Sequence, residues 1–176
     1  MRRSADNRLG DILLPGAYKM PLFLLLSILL FLGGCATTDP IPAAPQEIRL
    51  LEQWSGDYPV AELGLLPAGQ QDSAAGYIGD SETFIPVWRA FMPGKILPAV
   101  DFKRNIVIFT RNTRFYNRKS ILKVTLQDGI AEIVAMETMS AIPIEEKVAM
   151  AMAVISRAGV SAIRVGPEKI KAVGNP

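Results

Sequence analysis

The sequence predicts a small, β-rich α+β domain, built on an antiparallel sheet or sandwich with one or two short helices. Three segments support this prediction. Residues 105–110, NIVIFT, form a β-branched and aromatic run with the length of a buried strand. Residues 119–137 contain Asp128-Gly129, a dipeptide typical of two-residue hairpin turns, between two apolar runs. Large and small apolar residues alternate over residues 148–156, which is the period of a strand.

The region before the first of these strands shows mixed signals. Residues 47–54 repeat large apolar side chains at helical spacing, so we expect one or two helical turns there. Residues 55–79 contain frequent glycine and proline, which predicts a loop with one short apolar piece at 60–66. A helix is then expected from Ser81, a suitable N-cap, through the apolar residues of 84–91, although a proline interrupts it.

The second half of the chain has clearer strand patterns. Residues 119–126 and 130–137 are predicted to pair as the two strands of an antiparallel hairpin. Residues 148–156 remain ambiguous, because alanine and methionine favour a helix while the alternation of side-chain size favours a strand. We favour the strand. A turn at Ala158-Gly159 is expected to lead into a last strand at 160–165.

The apolar run 21–32 indicates where the protein is located. Its length suits the apolar region of a secretory signal, about 7–15 residues, and is short of the roughly 20 that span a bilayer. Basic residues precede it, and it ends in Leu32-Gly33-Gly34-Cys35. This ending resembles a bacterial lipobox, which implies cleavage after Gly34 and attachment of lipid to Cys35. An ordinary signal peptide or an uncleaved membrane helix is the alternative.

The lipobox implies a division of the chain into three parts. Residues 1–34 would be the lipoprotein signal peptide, residues 35–46 a lipidated tether, and residues 47–176 a single globular periplasmic domain. The tether is rich in proline, alanine and threonine. Alanine, not aspartate, follows the cysteine, and for this family that implies an outer membrane lipoprotein of the cell envelope. Its membrane contact would be the lipid on Cys35.

Composition excludes several classes of function. From Cys35 onward there are 15 Lys and Arg and 15 Asp and Glu residues, and this balance argues against a nucleic-acid partner. The chain has no histidine, and its single cysteine is the expected lipidation site. Histidine-dependent triads and metal sites are therefore unavailable. We expect no catalytic residue, no metal, no cofactor and no enzymatic activity.

Charge is distributed unevenly along the mature chain. Residues 39–82 contain eight acids and one base, whereas residues 89–123 contain nine bases and one acid. Guanidinium groups beside aromatic rings suit carboxylate or phosphate ligands, so a predicted loop at 111–118 is the candidate binding site for an envelope protein or an anionic envelope component. Its candidate residues are Arg111, Arg114, Phe115, Tyr116 and Arg118. The competing interpretation is that the acidic and basic blocks face each other within the fold.

One further resemblance concerns the domain. Trp88, then residues 98–102 with Asp101-Phe102, then the apolar strand 105–109 resemble the C-terminal-like domain of the PrcB family. The resemblance implies a small β-rich domain of a secreted or lipid-anchored protein. The glycine-rich stretch that this family often has after the strand is replaced here by residues 111–118, and no functional residue is transferred.

The function that these features favour is non-catalytic binding or assembly in the envelope. An inhibitor or accessory subunit of a periplasmic enzyme is the alternative that the PrcB-like resemblance suggests. A hydrolase that uses only carboxylates is the third hypothesis. It requires two acids in one cleft, about 5–9 Å apart for glycoside cleavage, and adjacent acids such as Glu145-Glu146 or Asp80 and Glu82 do not have an indicative spacing.

Overall fold

A computed structural model describes residues 44–171. These residues form two β-sheets and a helical layer. The strands within them are β1 Gln46–Ile48, β2 Glu52–Pro59, β3 Ala75–Ile78, β4 Asn105–Arg111, β5 Lys119–Gln127, β6 Ile130–Glu137, β7 Lys147–Ser156, β8 Ala162–Val165 and β9 Glu168–Lys171. The helices are a 3₁₀ helix, Val60–Leu65, and α1, Ser81–Phe91.

The strands form a five-stranded sheet with the order β1-β5-β6-β8-β9 and a four-stranded sheet with the order β2-β7-β4-β3. All neighbouring strands are antiparallel except β6 and β8. One apolar core lies between the two sheets, and a second lies between the four-stranded sheet and the helices. The predicted β-rich α+β class with an antiparallel sandwich is confirmed.

Strand β7 lies inside the four-stranded sheet, which explains its alternating sequence. Met150 and Met152 belong to the core under the helices, while Ala151 and Ala153 belong to the core between the sheets. Residues 148–155 are all buried. Since both faces of this strand are covered, every position must be apolar. The predicted strand is therefore confirmed, and the helical alternative is wrong.

The helical turns expected at 47–54 are not formed, because the apolar residues of this segment pack into two different cores. Ile48 lies in β1 and packs between the sheets, whereas Trp54 lies in β2 and packs under the helices. Residues 55–79 are also more ordered than the predicted loop, since they include the end of β2, the 3₁₀ helix and β3.

Two glycines in this region occupy strands, where close packing requires the lack of a side chain. A Cβ on Gly56 would lie 3.2 Å from Met92 Cε, and one on Gly76 would overlap the ring of Phe109. In the sequence these residues resemble turn signals. In the fold they are sites where the strand passes close to a neighbouring side chain.

The N-cap of helix α1 is the residue before the predicted one. The carboxylate of Asp80, not Ser81, caps it by accepting the N–H of Thr83 at 2.8 Å. Pro86 lies inside the helix and removes one backbone hydrogen bond. The helix persists because it buries four large side chains under the four-stranded sheet, namely Phe84, Val87, Trp88 and Phe91.

The two other residues of the PrcB-like pattern shape the approach to β4. Asp101 accepts the backbone N–H of Lys103 at 3.1 Å and the Nε–H of Arg104 at 2.7 Å, which forms a turn. The ring of Phe102 lies edge-on to Phe84, with 5.6 Å between centroids.

The predicted hairpin at Asp128-Gly129 is confirmed. Both residues have positive φ, 51° and 77°, as a type I′ turn requires. The expected last strand is corrected in two respects. It covers Ala162–Val165 and pairs with β6, and a further strand, β9, follows it through a turn at Gly166.

The expected signal peptide, Cys35 and most of the tether lie outside the described residues. Gln46, the last residue of the predicted tether, already pairs with Leu126 in β5. No helix in the part that the structure describes is long and apolar enough to cross a membrane.

Candidate functional site

Two loops at one end of the sandwich are hydrogen-bonded to each other. Residues 112–118 connect β4 to β5, and residues 138–144 belong to the connection from β6 to β7. The bonds between them are Tyr116 N–H to Ile142 O at 2.9 Å, Ser140 N–H to Asn117 Oδ1 at 2.7 Å, Arg118 N–H to Thr138 Oγ1 at 3.0 Å, and Thr138 N–H to Arg118 O at 3.0 Å. We call these two segments the loop pair. Because each loop satisfies polar groups of the other, the loop pair has a defined conformation.

The loop pair exposes large apolar side chains. Phe115 is 48% exposed, Ile142 60% and Met139 98%, and the neighbouring Met136 at the end of β6 is 57% exposed. These are four of the eight large hydrophobic residues that are exposed within the described part of the chain. Singly scattered apolar residues are normal on a protein surface, whereas these four lie together at one end of the sandwich.

The charge on the loop pair is positive. Residues 112–118 and 138–144 contain Arg114 and Arg118 and no acid. Both arginines are exposed, and neither forms an ion pair with another described residue. Glu145 and Glu146 follow the second loop, where the carbonyl of Glu146 accepts the N–H of Val60.

Arg111, the first candidate of the predicted loop, lies apart from this surface. It ends β4, is only 4% exposed, and donates to the carbonyls of Asn112 and Gln71. Burial lowers the pKa of its guanidinium, and the negative charges of the nearby Asp72 and Glu168 raise it by a smaller amount. Arg111 therefore ties β4 to the segment before β3, and its side chain is not available to a ligand.

Tyr116 is directed back toward the four-stranded sheet. Its hydroxyl donates to Asp57 Oδ1 of β2 at 2.5 Å, and this hydrogen bond is the main cause of the raised pKa of the phenol. Tyr116 thus holds the loop pair against β2. The predicted binding residues consequently separate into an exposed set, Arg114, Phe115 and Arg118, and a supporting set, Arg111 and Tyr116.

Two adjoining clefts lie beside the loop pair and share Arg118 and Lys119. The first has a volume of about 330 Å³ and is lined by Ser55, Gly56, Asp57, Tyr116, Arg118, Lys119 and Ala149. The second has about 200 Å³ and is lined by Arg118, Lys119, Ser120, Met136, Glu137 and Thr138. Lys119 is paired with Glu137 at 3.1 Å, with its side chain 8% exposed. Arg118 is therefore the cation of both clefts that lacks a carboxylate partner.

The acidic and basic blocks of the sequence do not neutralise each other through ion pairs in the described residues. The three ion pairs found there are Arg104–Asp101, Lys119–Glu137 and Arg164–Glu132. The same residues contain no group of three side chains suited to hold a metal ion. Each of the two clefts contains a single carboxylate, Asp57 or Glu137.

Sequence reasoning missed the second half of the surface. Met139 and Ile142 were not predicted to contact a partner protein, because an apolar residue in a loop has the same sequence signal whether it is buried or exposed. The hydrogen bonds from the first loop to the second are long-range and leave no local pattern. Comparison with protein-family models, curated proteins and solved structures found no match to this chain.

Proposed function

We propose that this protein is a lipid-anchored envelope protein that binds another protein through the loop pair and has no catalytic role. The observation that carries the proposal is that Arg114, Phe115, Met139 and Ile142 are all exposed on two loops that are hydrogen-bonded to each other. Aromatic residues, methionine and arginine are enriched in protein interfaces, and an ordered backbone reduces the entropy lost on binding.

The anchor part of the proposal rests on the lipobox-like sequence. The chain enters the domain at Gln46, which pairs with Leu126 beside the hairpin turn. The loop pair adjoins the opposite end of the same hairpin, where Lys119 pairs with Glu137. These ends are seven residue steps apart along β5, about 23 Å of extended chain. This arrangement suits a domain that is tethered at one end and presents its binding surface at the other.

The lipid attachment is tested by labelling growing cells with a clickable palmitate analogue. The full chain is expected to incorporate the label and to fractionate with membranes. Cys35→Ala is expected to lose the label, because the chain has no other thiol to accept diacylglycerol. Ser27→Ala, within the apolar run, is the control and should retain the label. Labelling of Cys35→Ala would contradict the lipoprotein assignment.

The binding surface is tested by reversing its charge. In the double variant Arg114→Glu with Arg118→Glu, the amount of partner captured by cross-linking in intact cells is expected to fall at least about tenfold. Two attractive contacts become repulsive in this variant. Lys103→Glu is the matched control, since it reverses an exposed charge just before β4, at the strand's other end. Capture of the same partner in equal amounts by all three proteins would contradict the proposal.

The alternative of an inhibitor or accessory subunit receives support from one feature. A loop held by hydrogen bonds to a second loop suits insertion into the cleft of an enzyme. In that case the captured partner is an enzyme, and its activity changes when the wild-type chain is added. The carboxylate-only hydrolase has less support, since each of the two clefts contains one acid.

A further inference from the structure

Strand β2 forms one edge of the four-stranded sheet, and its outer side has no partner strand among the described residues. It is eight residues long, which makes it the longest edge strand of the two sheets. An edge of this kind offers unpaired backbone N–H and C=O groups to another chain.

The hydrogen-bond register identifies the outward groups. The backbone N–H of Val60 donates to the carbonyl of Glu146 at 2.8 Å. These two residues are opposite each other in the register that places Tyr58 opposite Val148, so they form a hydrogen-bonded pair. Bonded and non-bonded pairs alternate in an antiparallel ladder. Even-numbered residues of β2 therefore direct their backbone groups toward β7, and odd-numbered residues direct them outward. The outward residues are Gln53, Ser55 and Asp57, all of them exposed.

Two further observations agree with this assignment. Asn112, which directly follows β4, donates its backbone N–H to the carbonyl of Ala149 at 3.1 Å. The odd-numbered residues of β7 therefore direct their backbone groups toward β4. The even-numbered residues of β7 direct theirs toward β2. Pro59 occupies an outward position at the end of β2, where the N–H that proline lacks is not needed by the sheet. The available edge is therefore the short stretch from Gln53 to Asp57.

This edge borders the larger cleft of the loop pair. Ser55 and Asp57 line one side, and Arg118 lines the same cleft. Asp57 is already engaged by the hydroxyl of Tyr116, and Lys119 is already paired with Glu137. The unpaired charge that an incoming chain meets is thus the guanidinium of Arg118, which prefers a carboxylate.

We propose that β2 accepts an extended segment of the partner protein as an added strand, and that an acidic side chain of this segment binds Arg118. The backbone of Gln53, Ser55 and Asp57 supplies the hydrogen bonds, and Arg118 supplies the selectivity for an acid. The inference rests on the proposed protein-binding function and names the form of the ligand. A second copy of this chain is the competing occupant.

The first experiment needs no partner. Amide hydrogen exchange of the full chain in detergent micelles is expected to alternate along β2. The amides of Trp54, Gly56 and Tyr58 should be protected, and those of Ser55 and Asp57 should exchange about a hundredfold faster. Protection of Ser55 and Asp57 in the free protein would overturn the inference, because the edge would already be covered. It would leave the loop-pair proposal intact, so the two failures are distinguishable.

The second experiment uses two acetylated and amidated peptides, Thr-Val-Glu-Val-Thr and Thr-Val-Lys-Val-Thr. The glutamate peptide is expected to shift the amide resonances of Ser55 and Asp57 and to bind about tenfold more tightly than the lysine peptide. Arg118→Met should remove this difference, whereas Lys103→Met, at an exposed position just before β4, should preserve it. Absence of shifts at millimolar peptide, or equal affinity of the two peptides, would overturn the inference.

The backbone contribution is separated from the side chain at one position. Ser55→Pro removes an outward N–H and should abolish peptide binding, while Ser55→Ala keeps the N–H and should bind as the wild type does. Thermal unfolding of both variants verifies that they are folded. Binding by a folded Ser55→Pro would overturn the strand-addition mode. Shifts of the Ser55 and Asp57 resonances that depend on protein concentration alone would identify a second copy as the occupant and would also overturn it.

Discussion

Replacing Trp88 with alanine is expected to lower the free energy of unfolding by about 3–5 kcal/mol. Trp88 is 3% exposed and belongs to the core under the helices. Its ring is 4.9 Å from that of Trp54, 5.9 Å from Phe84 and 6.3 Å from Phe91, measured between centroids. The substitution removes all three aromatic contacts and leaves a cavity between the helices and the four-stranded sheet.

Urea unfolding followed by far-ultraviolet circular dichroism measures this loss, because tryptophan fluorescence would itself change with the substitution. Ile96→Ala is the control. Ile96 is 91% exposed, so removing its side chain should change stability by less than about 0.5 kcal/mol. A loss below about 1 kcal/mol for Trp88→Ala would show that this core is not the main stabilising contact of helix α1.

Replacing Gly76 with alanine is expected to cost about 3 kcal/mol or more, despite the addition of a single methyl group. The new Cβ would overlap the side-chain oxygen of Gln70 and the ring of Phe109. Neither neighbour has free space to move into, since Gln70 is 6% exposed and Phe109 is fully buried. Displacing Gln70 would also break its hydrogen bond from the N–H of Tyr77, which is 2.8 Å long.

The same urea measurement tests this substitution. Gly64→Ala is its matched control, because no atom lies within 4 Å of a Cβ at that position. The control is expected to remain within about 0.5 kcal/mol of the wild type. Similar stability of Gly76→Ala and Gly64→Ala would contradict the close packing of β3 against β4.

The success of the sequence predictions depended on where the deciding interaction lies. The hairpin at Asp128-Gly129 was predicted because a two-residue turn depends on local φ values. Strand β7 was predicted because large and small apolar side chains alternate along it. This alternation reflects the two different cores that cover its faces. Residues 47–54 were predicted wrongly, since the spacing of Ile48 and Trp54 fits a helix while the fold assigns them to separate cores.

The candidate site followed the same division. The sequence indicated a basic and aromatic segment at 111–118 from residue types alone. Whether a member of this segment is exposed depends on distant partners. Arg111 donates to the carbonyl of Gln71, and the hydroxyl of Tyr116 donates to Asp57.

The sequence by itself determined the β-rich class, strands β4 to β7 and the lipobox-like ending at Cys35, because these depend on the order of neighbouring residues. The tertiary structure decided which loops meet, which arginines remain unpaired and which strand has an open edge. Those properties arise from contacts between residues far apart in the chain, such as Tyr116 with Asp57 and Arg118 with Thr138. No local pattern encodes them, since each is specified only when both partners are brought together by the packing of the two sheets.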